Sequence, residues 1–309
     1  MSAELPWPLV SVVVPTYNNA AFVRETMRSI LSQTFEDFEL IVSDHSSTDG
    51  TWEALQPFAV DPRVRLMRIK ASGRAEDNWR NATSAATGEF LKLVCGDDLL
   101  APDSIERQVA ALRDNPAAVM VASRRDVVTA CGDVVLRSWG LSGLVGTVSG
   151  SEAARRGVLA GTNPFGEPAC VMLRRRVLME VGSWDASFPY VIDQYTYSKV
   201  LMHGDFVGLA DSLASFRLSD SQWSVALADQ QYRQIVSFHQ VLAETYPGLL
   251  SRSHRIRAGA RARALTYARR VAYLSLQRRL RSSSVGLELA TSVSSKPVVP
   301  GMPVVALTD

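Results

Sequence analysis

Apolar positions in the first hundred residues come in short runs, and each run stops abruptly at a polar loop. Val10-Ser11-Val12-Val13-Val14-Pro15 is rich in β-branched residues and predicts a buried strand, followed by the polar turn Thr16-Tyr17-Asn18-Asn19. From about 21 to 33 the spacing becomes helical, with Phe22, Val23, Met27, Ile30 and Leu31 on one face. The alternation then repeats, with strands predicted over 38–43, 64–69 and 90–94 and helices over 51–58 and 76–86. Strands and helices alternating at this spacing predict an α/β fold, a doubly wound and mostly parallel sheet covered on both faces. No Gly-x-Gly-x-x-Gly follows the first strand and no Gly-Lys-Ser/Thr phosphate loop is present, so polar strand-end loops must do any ligand binding.

The second half is less regular. Strands are predicted at 119–123 and 126–136, the latter interrupted by a Gly132-Asp133 turn, and a helix at 151–159. The loop Asn163-Pro164-Phe165-Gly166-Glu167-Pro168 feeds a strand at 169–173. Gly182-Ser183-Trp184-Asp185 marks a turn, and a helix over 193–202 has Asp193 in its first turn. Short strands follow at 206–210 and 214–218. From about 226 to 280 the pattern is helical with a break near Pro247-Gly248, and 282–309 is Ser-, Val- and Pro-rich, as in a poorly ordered tail. The expected organisation is one α/β domain over 1–225, with halves at about 9–100 and 101–225. A helical extension over 226–281 and a disordered tail over 282–309 complete it.

A hydrophobic fraction of 47% and a charged fraction of 21% in 309 residues describe an ordinary globular protein. The net charge of +2 conceals an asymmetry, because Arg252 to Leu287 holds many arginines and no Asp or Glu. Apolar residues interleave with them, so the extension reads either as a basic amphipathic helix for an anionic membrane surface or as a packed helix with a solvated basic face. Basic charge alone is too nonspecific to point to nucleic acid. No apolar run approaches the roughly 18 residues of a membrane span. The first residues lack the basic and apolar regions of a signal peptide, and three scattered cysteines without metal-ligand spacing fit a reducing compartment. Together these predict a cytoplasmic protein, peripheral on the inner face of the membrane if the basic helix docks there.

Candidate chemistry concentrates in Phe90-Leu91-Lys92-Leu93-Val94-Cys95-Gly96-Asp97-Asp98, a buried strand that ends in two carboxylates. The carboxyl edge of an open α/β sheet is where ligands bind. Adjacent carboxylates repel and need a cation or good hydrogen bonds, and an oxygen-rich site suits Mg²⁺ or Mn²⁺ shared with phosphates. The same residues could equally form a solvated loop in which one Asp caps the next helix.

Three blocks carry a resemblance: Pro15-Thr16-Tyr17-Asn18, Val42-Ser43-Asp44 with Ser47-Thr48-Asp49-Gly50-Thr51, and Gly88-Glu89-Phe90 leading to Asp97-Asp98. In this order and spacing they resemble family 2 glycosyltransferases of the GT-A fold. Pro164-Phe165-Gly166-Glu167-Pro168, Val181-Gly182-Ser183-Trp184-Asp185 and Val191-Ile192-Asp193-Gln194-Tyr195 are similar to that family's acceptor-side segments. The likeness covers about 9–218. It implies a nucleotide-binding half and an acceptor-binding half, with Pro15, Thr16, Tyr17, Asn18, Asp44 and Asp97 on the nucleotide. It implies Asp97 and Asp98 on a Mg²⁺ or Mn²⁺ ion and Asp193 as the catalytic base. Glu167, Arg74 and Trp184 are expected near sugar or acceptor. The donor would be a UDP- or dTDP-sugar, and the acceptor a hydroxyl of a glycan, glycolipid or other bacterial cell-envelope molecule. One base opposite the leaving group implies a single displacement with inversion.

This chain departs from the pattern at four positions. Cys95 replaces an acid two residues before Asp97, which leaves the metal set one oxygen short. His45 follows Asp44, Ile192 precedes Asp193, and Ser219 stands where a His often follows an Arg like Arg217. Each motif residue also has a structural reading. Asp44 can cap a turn, Asp193 can favour a helix N-terminus, Trp184 and Trp223 can pack, and Asn78 and Asn81 can lie on a solvated helix face. Two rivals follow: an inactive sugar-nucleotide-binding or partner protein of the same fold, and a nucleotidyltransferase. The second lacks its expected Gly-rich basic loop after the first strand.

Overall fold

In a computed structural model, 8–70, 74–218 and 230–268 are the described residues. The apolar runs become the strands β1 (Val10–Thr16), β2 (Phe38–Asp44), β3 (Val64–Arg68) and β4 (Phe90–Leu93). All four are parallel, in the order β3-β2-β1-β4, with Val12 opposite Leu40 on one side and Lys92 on the other. Every residue of β1 and β4 is buried, as a parallel sheet covered on both faces requires. Helices α1 (Val23–Leu31), α2 (Thr51–Leu55) and α3 (Ala75–Ser84) make the crossovers, α1 burying Val23, Thr26, Met27 and Ile30. The helix expected over 51–58 is cut short, because Pro57 lies in a tighter 3₁₀ turn over Gln56–Val60.

Beyond β4 the sheet turns mixed. A two-residue strand β5 (Leu99–Leu100) precedes α4 (Ser104–Asp114), and β6 (Ala118–Val128) runs on where two strands were expected. After it come β7 (Val134–Trp139), β8 (Gly146–Val148), α5 (Gly150–Leu159), β9 (Val171–Arg174), α6 (Arg175–Glu180) and α7 (Ile192–Val200). The two strands expected over 206–218 are one bent strand, β10 (Asp205–Arg217), whose register slips against β6 between Leu209 and Ala214. The sheet continues β4-β9-β6-β10-β5, with β9 antiparallel to both neighbours and β6 parallel to β10. Neither β5 nor β8 carries a strand-like pattern, since each is held by pairing to β10 rather than by its own sequence.

The chain divides into two compact units, 1–263 and 264–309. Helix α8 (Gln231–Thr245) and a helix over 252–268 follow the sheet. Within the first unit, Ile235, Phe238, Leu242, Leu249, Leu250, Ala258 and Ala262 form a second core with Val158, Val191 and Tyr195. The part of the extension up to 263 is thus packed on α5 and α7. The remainder expected in it, beyond 268, and the tail at 282–309 lie outside the described residues, as do Ser219 and Trp223.

Candidate active site

Two loops at the carboxyl edge of β1 and β2 are stitched together side chain by side chain. Asn18 N–H donates to Ser47 Oγ (2.9 Å), Asn19 N–H to Thr51 Oγ1 (2.8 Å), Ala20 N–H to Asp49 (2.9 Å) and Thr48 N–H to Asn18 Oδ1 (3.0 Å). Asn18 and Ser46 adopt left-handed backbone with φ near 53° and 54°. Such strained positions persist only when the surroundings over-determine them, and they gather at ligand sites. Tyr17, expected at the nucleotide, is 58% exposed with its ring edge-on to His45 (5.9 Å). Pro15 and Thr16 are buried in β1.

Asp44 is fully buried; its carboxylate accepts from Ser47 Oγ, from Ser47 N–H (3.2 Å) and from Thr16 Oγ1 (3.4 Å), and forms an ion pair with Arg68 Nε (3.1 Å). Its oxygens are occupied by the loop itself. Arg68, which also donates to Ser47 O (2.9 Å), is the cation the sequence reading overlooked. Asn78 and Asn81 are structural in this fold: Asn78 Nδ2 donates to Thr16 O (3.1 Å) and Ser43 O (3.0 Å), and Asn81 Nδ2 to Ser43 Oγ (2.9 Å). They brace the ends of β1 and β2 rather than line a solvated face. Arg74 sits just before α3, largely exposed, beside Glu76 and Asp77.

Strand β4 delivers Asp97 and Asp98 to the same edge. Gly96 lets this turn lie on the 16–20 loop, since a Cβ there would stand 2.8 Å from Asn19 Oδ1 and 3.0 Å from Thr16 Cγ2. Asp98 is buried, and its Oδ1 accepts from Arg217 N–H (3.2 Å) because β5 pairs with β10 just before that residue. Arg217 is itself only 2% exposed and reaches Asp97 O (3.0 Å), Ala130 O (2.9 Å) and Glu25 (2.6 Å), with its guanidinium over Phe22. It clamps α1, the Asp97–Asp98 turn and the β6–β7 turn into one unit. Burial, then Asp97 and Glu167, push the Asp98 carboxyl well above the usual range, while the Arg217 N–H and the Arg125 charge oppose the rise. Among the described residues no three His, Cys, Asp or Glu side chains gather as a metal-holding group. Two adjacent carboxylates still suit a hard cation, which can take its remaining ligands from a phosphate and water.

On the acceptor side, Asp193 opens α7 half-buried. It accepts from Asn163 Nδ2 (2.7 Å) and Gln194 N–H (2.7 Å), and Asn163 also donates to Gly166 O (2.8 Å). Desolvation pushes its carboxyl up to about 6, and the charge of Glu167 adds to the rise while the hydrogen bonds oppose it. Glu167 is tied at both oxygens to the buried guanidinium of Arg125 on β6, through Nε and through Nη2 (3.1 Å). Cys95 lies where the two sides meet: burial and then the charges of Asp98, Asp97, Asp193 and Glu167 hold its thiol well above its ordinary range.

Trp184, expected at the acceptor, is instead core. It is 1% exposed, its indole N–H donates to Thr83 Oγ1 (2.7 Å), and its ring packs edge-on against Trp79 and Tyr197. Burial on that scale removes it from any ligand. Lys92, unremarked in the sequence, is fully buried in β4 without a carboxylate partner. It donates to Gln108 Oε1 (2.7 Å) and Ala169 O (2.6 Å), and burial pushes its amine down to about 7. It links the strand of Asp97 and Asp98 to the turn that follows Glu167. An apolar run gives no sign of such a residue beyond the lysine itself.

The segment 11–182, which carries all of these sites except Trp184, Asp193 and Arg217, matches the model of "Glycosyl transferase family 2". The chain belongs to that family. EpsE of Bacillus subtilis (strain 168) is 32% identical over 160 residues, 51% of this chain and 54% of EpsE. The chain therefore spans about half the length of that relative. Among solved structures, residues 1–349 of S. aureus TarS in complex with UDP superpose with a TM-score of 0.61 at 20% identity, over 82% of this chain and 70% of that one. Mannosyltransferase PcManGT from Pyrobaculum calidifontis, in complex with GDP-Man and Mn²⁺, gives 0.56 at 21% identity, over 89% and 80%. At these identities the likeness concerns the fold, and the fold is GT-A.

Proposed function

We propose that the chain is an inverting glycosyltransferase that moves a sugar from a UDP- or dTDP-sugar to a hydroxyl of a glycan, glycolipid or related cell-envelope acceptor. The observation that carries this reading is the acid pair Asp97–Asp98 that follows β4, in a chain whose segment 11–182 matches the family 2 glycosyltransferase model. Tyr17, Asn18 and the cross-linked 44–51 loop bind and orient the nucleoside, Tyr17 offering an exposed aromatic face. Asp44 acts through this loop, holding Ser47 and Arg68 in place. Asp97 and Asp98 hold Mg²⁺ or Mn²⁺, which when bound neutralises charge growing on the leaving diphosphate. Asp193 takes the proton of the acceptor hydroxyl as its oxygen attacks. Glu167, with both oxygens engaged by Arg125, is left to position rather than to abstract. Arg74, exposed before α3 and beside Glu76 and Asp77, contacts the sugar or diphosphate.

Peripheral docking on an anionic membrane surface is part of this proposal. It is supported by the exposed Arg252, Arg257, Arg261 and Arg263 with exposed Ile256, and by an open groove of about 360 Å³ lined by Tyr232, Val236, Arg252 and Arg255. Among the described residues no helix is long and apolar enough to cross a membrane. The arginines beyond 268 lie outside the described residues.

The deciding experiment is calorimetric titration of UDP, dTDP and GDP with and without Mn²⁺, on wild type and Asp97→Ala. Binding of UDP or dTDP that needs the metal and is lost in Asp97→Ala is the expected outcome. Failure of every nucleoside diphosphate to bind would remove the transferase reading. Binding without turnover of any donor would favour the inactive, sugar-nucleotide-binding alternative, to which Cys95 in place of an acid already points.

A further inference from the structure

The β6–β7 ribbon contains two register shifts, and the one between Arg125 and Val127 has a chemical consequence. Val127 pairs with Leu136 and Arg125 with Trp139, so two steps along β6 correspond to three along β7. Side chains alternate faces along a strand, so Leu136 and Trp139 would lie on opposite faces of a regular β7. The extra residue is absorbed where Ser138 adopts φ near 51°, its N–H donating to Asp126 Oδ1 (2.9 Å). A bulge of this kind re-aims the next side chain, and here it returns Trp139 to the face of its partner Arg125. That is the face on which Arg125 holds Glu167.

Two hydrogen bonds hold the backbone at this point. Arg125 Nη1 donates to Trp139 O (3.4 Å), and Leu141 N–H donates to Pro164 O (2.8 Å). Gly140 has φ near 109°, and a Cβ on it would stand 2.8 Å from Arg125 Nη1 and 3.4 Å from Pro164 O. The loop it touches contains Asn163, the partner of Asp193. Yet Trp139 is 53% exposed, a large aromatic left open on a rigid frame one side chain away from the Glu167 ion pair. The other exposed apolar residues of the ribbon, Val134, Val135 and Leu136, lie toward its turn, away from Arg125.

We propose that Trp139 is a stacking platform for a pyranose ring of the acceptor, the saccharide subsite that the buried Trp184 does not supply. The proposal rests on the transferase reading of the Asp193 site. An indole face takes up the apolar C–H face of a sugar while leaving its hydroxyls to polar neighbours, and a fixed backbone lowers the ordering cost of that contact.

Acrylamide quenching of tryptophan fluorescence tests it on the full chain, with methyl β-D-glucopyranoside and methyl N-acetyl-β-D-glucosaminide as probes. Wild type, Trp139→Ala, Trp139→Phe and the ribbon control Leu136→Ala are compared. The expected result is that a methyl glycoside shields wild type and Leu136→Ala but not Trp139→Ala. With the same glycosides as acceptors, Trp139→Ala should raise the acceptor KM about tenfold and Trp139→Phe less, with donor hydrolysis by water unchanged. Equal shielding in Trp139→Ala, no shielding of wild type by either glycoside, or an unaltered acceptor KM overturns the subsite. So does a change of oligomeric state in Trp139→Ala with acceptor KM intact, which would make the ribbon an assembly surface. Absence of any donor turnover in wild type strikes the transferase reading instead, and the quenching comparison then still decides whether Trp139 binds sugar.

Discussion

The edge proposed to bind the nucleotide and the edge proposed to bind the acceptor, here the nucleotide edge and the acceptor edge, are built in different ways. The first joins two loops that follow neighbouring parallel strands, 16–20 and 44–51, and hydrogen bonds from one segment to the other tie them together. The second gathers Arg125 from β6, Asn163 and Glu167 from a loop, and Asp193 from the start of α7. One edge is a pair of contiguous motifs, while the other exists only after remote segments have packed. The difference teaches where function should break. A change at the nucleotide edge should alter affinity, and one at the acceptor edge should alter chemistry.

Asp193→Asn should have the largest effect. Steady-state kinetics should show kcat reduced by about 10³-fold, with UDP affinity by calorimetry unchanged, because only proton acceptance is removed. Equal losses in both measurements would erase the distinction between the edges. Ser47→Ala comes next. It deletes the hydroxyl that serves Asp44 and Asn18 together. UDP should bind about tenfold more weakly, with the pH dependence of turnover unchanged. A shifted pH profile would show that the two edges are coupled.

Asn163→Ala is the mildest and the most diagnostic. Asp193 acts as a base only when ionised, so kcat/KM should fall as pH drops through about 6. Asn163 donates to the ionised form. Its loss should therefore raise the pKa and move the acid limb toward neutral, slowing turnover about threefold at pH 6 and scarcely at pH 8. An acid limb that stays in place would deny Asp193 the role of base.

The nucleotide edge was largely legible because its information is local. A β-branched run ending in Thr16-Tyr17-Asn18, and a second ending in Asp44 with Ser47 to Thr51, declare both strand and loop. What remained hidden there was Arg68, which reaches Asp44 only because β3 pairs with β2. At the acceptor edge Asp193 and Glu167 were named from motifs, but their unequal states were not. The Arg125 ion pair that occupies Glu167 spans 42 residues, and no pattern announces it. Trp184 and Trp139 make the contrast sharpest. Both are tryptophans beside turns, yet one lies in an aromatic core and the other lies open on a bulged strand.

By itself, the sequence determined the four strands and the crossover helices of the first half, their mostly parallel pairing, and the acids at the strand ends, and its motifs carried the family. Periodicity, turn chemistry and contiguous motifs are properties of neighbouring residues, and they survive without a fold. Tertiary structure alone decided which charges are neutralised, which aromatic is exposed, and how Arg217, Lys92 and Arg125 tie the donor side to the acceptor side. Those outcomes depend on burial and on contacts between segments far apart in the chain. Solvation and pairing energies are fixed only when the surrounding groups have been placed.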